Sequence, residues 1–182
     1  MSTIKFCSHC GQPVSRRIPD GDQLPRAVCD HCGTVHYENP RVVVGCVPEW
    51  DGRILLCRRA IEPRRGYWTA PAGFLEIGES MHAAAARETA EEALAEVEVG
   101  TLLSIVNVLH AAQVHVMFRA RMLHERHGAG VESLETALFR EDEIPWDDIA
   151  FASIHFALER YLGDRRAGRE HIHFHDIAGA RR

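Results

Sequence analysis

Cys7 and Cys10 are separated by two residues, Cys29 and Cys32 likewise, and eighteen residues (11–28) lie between the pairs. Nothing else in the chain restricts folding so sharply. Two C-x2-C pairs across a gap of this length are the spacing of a four-cysteine zinc site, because Zn²⁺ accepts four soft thiolates in a tetrahedron. Gly11 and Gly33 follow the pairs, where a tight knuckle needs a residue that tolerates positive φ. Pro19-Asp20-Gly21-Asp22 supplies a turn between the knuckles. About 35 residues bury too little to fold without such a staple. Two redox C-x-x-C motifs are the alternative, and the paired glycines favour structural zinc. His9 and His31 are bystanders, since four thiolates already close the site. Cys46 and Cys57 lie in apolar runs and read as core.

The 182 residues suit one domain plus a small module. With 46 % hydrophobic and 26 % charged residues, the chain has ordinary globular composition. Its net charge of -5 argues against a protein that coats a phosphate backbone, so nucleic acid is not an expected partner. No apolar run approaches the ~20 residues that span a bilayer, and Met1–Cys7 has no signal-peptide core. These readings lead to the expectation of a soluble cytoplasmic protein without a membrane partner, its thiols reduced.

Beyond the ribbon, Val42–Val47 and Ile54–Cys57 are apolar runs joined through Asp51-Gly52, a hairpin signal. Residues 79–95 read as a helix rich in alanine and glutamate, and 97–109 as strand. Residues 113–123 alternate, with Val114, Val116, Phe118, Ala120 and Met122 on one face, the period of a half-buried strand. A strand over 134–140 and a helix over 152–163 follow, and the polar run Gly163–Arg182 is expected to fray. His171, His173 and His175 alternate there, and a polar tail is preferred over an extra metal site. The mixed order implies an α+β fold with helices packed on a mixed or antiparallel sheet.

The segment Gly73–Glu92 carries the chemistry. Glu88, Glu91 and Glu92 stand at i, i+3 and i+4, which places three carboxylates on one helical face. Like charges four apart oppose a helix by ~0.2–0.5 kcal/mol per pair. Arg87 and His82 are the only basic side chains between Glu79 and Glu96. Arg87 can pair with Glu91, which leaves Glu88 and Glu92 without a local cation. A divalent metal resolves the conflict, and oxygen ligands favour Mg²⁺, Mn²⁺ or Ca²⁺. On charge pattern alone, an acidic surface helix reads equally well.

The full pattern, Gly73-x5-Glu79-x7-Arg87-Glu88-x-x-Glu91-Glu92, resembles the signature of the Nudix hydrolases, and Gly66–Phe74 looks like the family's approach to it. Thr89 departs from the usual aliphatic residue. Leu94 departs from the usual glycine, which suggests that the helix does not stop there. The ribbon in front resembles a bacterial zinc-ribbon subgroup and the plant plastid enzymes acting on FAD or ADP-ribose. The Ser-Gln-Pro-Trp-Pro-Phe-Pro run of the NADH pyrophosphatase branch has no match in Ser104–His110.

The resemblance implies a Nudix-type α/β/α sandwich with a mixed sheet, with domains at 1–36 (zinc ribbon), 37–166 (hydrolase) and 167–182 (polar tail). It implies Mg²⁺- or Mn²⁺-dependent hydrolysis of the diphosphate linkage of a nucleoside diphosphate derivative, FAD or ADP-ribose first, giving AMP and a second phosphate product. Glu88, Glu91 and Glu92 would hold the cation with the Gly73 carbonyl, while Arg87 and Glu79 orient them. The general base would be a box glutamate or one on a later loop, Glu132 or Glu135. Arg58, Arg59, Glu132 and Trp68 are candidates for substrate contact; Arg64, Arg65 and Trp50 are weaker ones. Solvated arginines and a core tryptophan are the plain alternatives. The rival functions are NADH pyrophosphatase, an RNA-binding or decapping protein, and a non-catalytic nucleotide-binding regulator. Family relatives also raise the expectation of a homodimer.

Overall fold

The structure, a computed structural model, describes residues 4–179. The chain divides into two compact units, Met1–Pro40 and Arg41–Arg182, a little C-terminal of the boundary expected at 36.

In the first unit, β1 (Val14–Arg17), β2 (Arg26–Cys29) and β3 (Val35–His36) form an antiparallel three-stranded sheet. Gly11 and Gly33 adopt φ of 75° and 74°, and their N–H groups donate back to the carbonyls of Cys7 and Cys29, at 2.9 and 3.0 Å. The glycines thus close both knuckles. The Pro19–Asp22 turn forms as read, with the Asp22 N–H on the Pro19 carbonyl at 3.1 Å.

The second unit contains β4 (Arg41–Trp50), β5 (Arg53–Arg59), β6 (Trp68–Thr69), β7 (Ala72–Phe74), α1 (Met81–Ala93), β8 (Val97–Val108), β9 (Gln113–Met122), β10 (Ser133–Phe139), α2 (Ala152–Ala167) and β11 (His173–Ile177). The main sheet runs β10-β5-β4-β9-β8-β11, with β6 on β5 and β7 on β4. It is mixed: β4 pairs parallel to β9 and β11 parallel to β8, and the other pairings are antiparallel. Asp51 and Gly52, both at positive φ, turn β4 into β5. Helices cover both faces. Val44, Cys46, Val116 and Phe118 pack with Ala84 and Ala85 of α1, whereas Val47, Leu56, Leu103 and Met117 pack with Ile154, Ala157, Leu158 and Leu162 of α2.

Three expectations are corrected. Strand β9 is buried on both faces: Met117 is in the α2-side core, and His115 and Arg119 are buried beside it. Arg119 tolerates that position because it pairs with buried Asp164 of α2 and donates to the Leu102 and His171 carbonyls at 2.9 and 3.0 Å; a buried charge persists only when so compensated. The stretch from Gly163 to Gly179 is no frayed tail, and residues 180–182 of that expectation lie outside the described residues. Helix α2 continues to Ala167, Gly168 caps it at φ 59°, and β11 joins the sheet. His173 bonds Asp164 at 3.0 Å and His175 stacks on Phe156 at 4.7 Å, so these histidines secure the strand. Finally, α1 does stop at Leu94, which takes the left-handed conformation (φ 48°, ψ 32°) that glycine adopts at least cost.

Candidate active site

Helix α1 starts at Ser80, whose hydroxyl accepts the Ala83 N–H at 3.2 Å, an N-cap. Its buried stripe is Ala84, Ala85, Glu88, Thr89, Glu92 and Ala93. Alanines let the helix lie close to the sheet. Thr89, the departure from the aliphatic pattern, is accommodated by bonding its hydroxyl to the Ala85 carbonyl at 2.8 Å, with Cys46 Sγ at 3.2 Å. Burial lifts the Cys46 thiol to about 12, so it is an unreactive core group.

Glu88 and Glu92 share the stripe and are each only 8 % exposed. Strand β7 brings Gly73 against them: a Cβ there would sit 2.3 Å from Glu88 Oε1, so any larger residue would displace that carboxylate. The Ala72 N–H donates to Glu92 Oε2 at 3.3 Å. Arg87 binds the rest together. Its Nε and Nη2 donate to Glu79 at 3.1 and 2.7 Å, its Nη1 to Glu88 and Glu91 at 2.7 and 3.0 Å, and its Nη2 to the Phe74 carbonyl at 3.2 Å. Glu88 therefore does have a local cation, contrary to the sequence reading, because Arg87 reaches its own neighbour as well as Glu91.

Arg87 holds Glu79 below the usual carboxylate range. Burial raises Glu88 despite Arg87, and burial followed by the Glu88 charge lifts Glu92 to about 8. Glu132 adds to both shifts. Its loop is fastened to the end of α1 by the N–H groups of Gly128 and Gly130, on the Ala93 and Glu92 carbonyls at 2.8 and 3.1 Å.

The carboxylates open into a cavity of about 1140 Å³. Gly73, Arg87, Glu88, Glu91, Glu92 and Glu132 line it, as do Arg59 and Arg64. Arg59 lies over the Phe151 ring at 5.0 Å and donates to the Pro63 carbonyl. Three candidates lie elsewhere. Glu135 and Arg58 pair with each other at 3.0 Å across β10 and β5, outside the cavity lining. Trp68 packs edge-on against Phe139 at 4.9 Å in the α2-side core. The strand period explains the arginines: neighbouring residues on β5 face opposite sides, so Arg58 and Arg59 cannot both enter. Sequence reading missed Phe151, Gln113, His115 and Ser153, which also line the cavity. A histidine between valines on β9 was the available signal for that wall.

A second cavity, of about 1040 Å³, lies beside Glu49, Arg119, Tyr161 and Asp164. Its buried polar groups are already paired, Tyr161 with Glu49 and Arg119 with Asp164.

In the N-terminal unit, the Sγ atoms of Cys7, Cys10, Cys29 and Cys32 all lie within 4.8 Å of one another. Cys7–Cys32 and Cys10–Cys29 are 3.7 and 3.5 Å apart, close to the ~3.8 Å edge of a tetrahedron with Zn–S of about 2.3 Å. Cys32 Sγ also lies 3.1 Å from Thr34 Oγ1. The donor set fits structural zinc, and neither His9 nor His31 belongs to it.

These two sites define a class. A model of the NUDIX domain matches residues 39–150, more than half of the chain, and a zinc-ribbon model described as Nudix N-terminal matches residues 5–38. The chain belongs to the Nudix hydrolase family, in the group that carries a zinc ribbon. Within it, a crystal structure of a NUDIX hydrolase from Nitrosomonas europaea is similar at a TM-score of 0.92 and 52 % identity, covering 96 % of this chain and 99 % of that one. The NAD-capped RNA hydrolase NudC of Edwardsiella ictaluri (strain 93-146) is 35 % identical over 94 residues, 52 % of this chain and 35 % of NudC. The mitochondrial NAD(P)H pyrophosphatase NUDT13 of Mus musculus is 32 % identical over 114 residues, 63 % of this chain and 29 % of its own. The chain thus spans about a third of the length of these curated relatives. No helix among the described residues is long and apolar enough to cross a membrane.

Proposed function

We propose that the second unit hydrolyses the diphosphate linkage of a nucleoside diphosphate derivative, releasing AMP and a second phosphate product. One observation carries this reading: two buried carboxylates, Glu88 and Glu92, face a large cavity, and the bare backbone of Gly73 leaves room for the Glu88 carboxylate beside it. Buried carboxylates lifted first by their own desolvation and then by neighbouring glutamate charges fit a cation site made of oxygen donors, the set that suits Mg²⁺ or Mn²⁺. Glu88, Glu91 and Glu92 would hold the cation, with the Gly73 carbonyl beside them. When bound, it neutralises diphosphate charge and makes water a better nucleophile. Arg87, fixed by Glu79, keeps Glu88 and Glu91 in place. Arg59 presents a guanidinium to the cavity, suited to phosphate oxygens. Glu132 reaches the same cavity from the loop fastened to α1 and is the better general-base candidate, since Glu135 is held by Arg58.

The substrate leads are reordered by the relatives, whose names specify NAD(P)H and NAD-capped RNA. A dinucleotide such as NADH therefore stands ahead of FAD and ADP-ribose, despite the unmatched run at Ser104–His110. The net charge of -5 argues for the free dinucleotide over a long RNA. The test is mass-spectrometric product analysis with Mg²⁺ on NADH, FAD, ADP-ribose, nucleoside triphosphates and NAD-capped RNA. The expected result is AMP with the matching monophosphate, and loss of at least about a hundredfold in rate for Glu92→Gln, comparable to removing one key electrostatic group. Ligand binding without cleavage would make the protein a nucleotide-binding regulator instead.

A further inference from the structure

One wall of the cavity holds a hydrogen-bonded chain that the proposed chemistry does not use. Ser153 Oγ lies 2.9 Å from His115 Nδ1, and His115 Nε2 lies 2.9 Å from Gln113 Oε1. All three residues line the cavity. We infer that Gln113 is a specificity-determining residue: the Ser153–His115–Gln113 chain turns its side-chain NH2 group to donate to an exocyclic carbonyl oxygen on the second ring of a dinucleotide substrate. The inference rests on the diphosphate-cleaving reading of the site.

The direction of the chain follows from burial. Ser153 is 2 % exposed and His115 8 %, and desolvation keeps the imidazole neutral, with a pKa of about 4. A neutral imidazole has one donor and one acceptor. Among the described residues the Ser153 hydroxyl has no other partner. If the imidazole donated to Ser153, the serine proton would be buried without an acceptor, which is strongly disfavoured. The hydroxyl therefore donates to Nδ1, and Nε2–H donates to the Gln113 carbonyl. That leaves both Gln113 amide protons for a ligand.

The register places this donor. Gly73 pairs with Val44, and Val44 with Val116. Gln113 lies three residues from Val116 along β9, roughly 10 Å from the level of the carboxylates at the usual strand rise. Gln113 pairs with Val108, and Val108 with Ile177. Paired residues share a face, so an amide and two aliphatic side chains form one row, and all three line the cavity. A flat ring with a carbonyl at its edge suits an apolar floor with one donor at its end.

The test compares NADH, which carries a carboxamide ring, with ADP-ribose, which keeps the ADP unit and diphosphate but lacks that ring. Gln113→Met removes the donor at similar length, and Gln113→Glu keeps an acceptor for His115 while removing the donor. Both are expected to lower the NADH to ADP-ribose ratio of kcat/KM about tenfold, as suits one hydrogen bond to a desolvated group, with the change in KM for NADH. Ser153→Ala, which releases the imidazole, is expected to lower the ratio in the same direction. An unchanged ratio in both Gln113 variants, or equal losses on the two compounds, overturns the assignment. If the wild-type protein cleaves neither compound, the diphosphate reading fails on its own, and Gln113 is judged by equilibrium binding: a preference for NADH over ADP-ribose that survives Gln113→Met overturns it, and one that collapses supports it.

Discussion

At the scale of single residues, Leu94 and His115 carry costs that the rest of the fold meets. Leu94 ends α1 in the left-handed region with its side chain 60 % exposed, so little packing opposes replacement. Leu94→Gly is expected to stabilise the protein by about 1 kcal/mol, seen as a rise of a few degrees in Tm. A fall would show that the leucine contributes packing worth more than its strain. Desolvation holds the His115 pKa at about 4, against ~6.5 for the free side chain. The unfolded chain therefore binds the extra proton between these values. Stability is full above the unfolded pKa and is lost as pH falls toward the folded one, by about 3 kcal/mol. Glu92, lifted to about 8, works in the opposite direction over that window, so the His115 contribution is read as a difference: melting curves should respond less adversely to falling pH in His115→Gln than in wild type, and identical slopes would exonerate His115. The sequence made Leu94 conspicuous but suggested the wrong outcome, because a missing glycine looks like a continued helix. Only the backbone shows that loop contacts impose the stop.

At the scale of elements, the loop after β9 and the end of α1 act together. The Gly128 and Gly130 N–H groups satisfy two of the last carbonyls of α1, the orphans that every helix end leaves, and the same loop carries Glu132 to the cavity. A Cβ on Gly130 would fall 1.7 Å from the Glu91 carbonyl oxygen, while one on Gly128 would rest 3.5 Å from Leu94 Cδ1. Gly130→Ala is expected to lower kcat at least about tenfold and to destabilise by about 2 kcal/mol or more; Gly128→Ala should do neither. Equal behaviour in kinetics and melting would show that the loop does not position Glu132. The elements with strong local signals were legible in sequence: the α1 carboxylate face, the Asp51-Gly52 hairpin, the run of β4. Strand β11 was not, because His-Phe-His-Asp-Ile has no alternation of its own. Its order comes from pairing with β8, the His173–Asp164 bond and the stacking on Phe156. The second buried face of β9 was hidden for a similar reason: Arg119 reads as exposed until Asp164, 45 residues away, is brought beside it.

At the scale of the whole molecule, the two units depend on different forces. The larger one has three clusters of buried apolar residues, while the ribbon's sheet is short and its buried residues include Cys7 and Cys29 of the four-thiol cluster. One zinc per chain is expected by elemental analysis. Stripping it with a chelator should unfold the ribbon, while the larger unit keeps its own melting transition. Loss of both transitions together would show that the ribbon supports the hydrolase unit. The motif spacings made both sites legible, since four thiols and a run of carboxylates each need a fixed geometry. The far wall of the cavity was not, because it is assembled from β8, β9, β11 and α2, whose residues are dispersed in sequence.

Arg87 has all five N–H groups engaged, on three glutamates and one carbonyl. Lysine offers three donors from a single point and cannot reproduce that fork. Sequence drift is therefore unequal along α1. Leu94 is 60 % exposed and makes no such set of bonds, so a change there disturbs few neighbours. At Arg87 any other side chain leaves part of the hub unpaired, so a tolerated replacement would have to arrive together with changes in its partners.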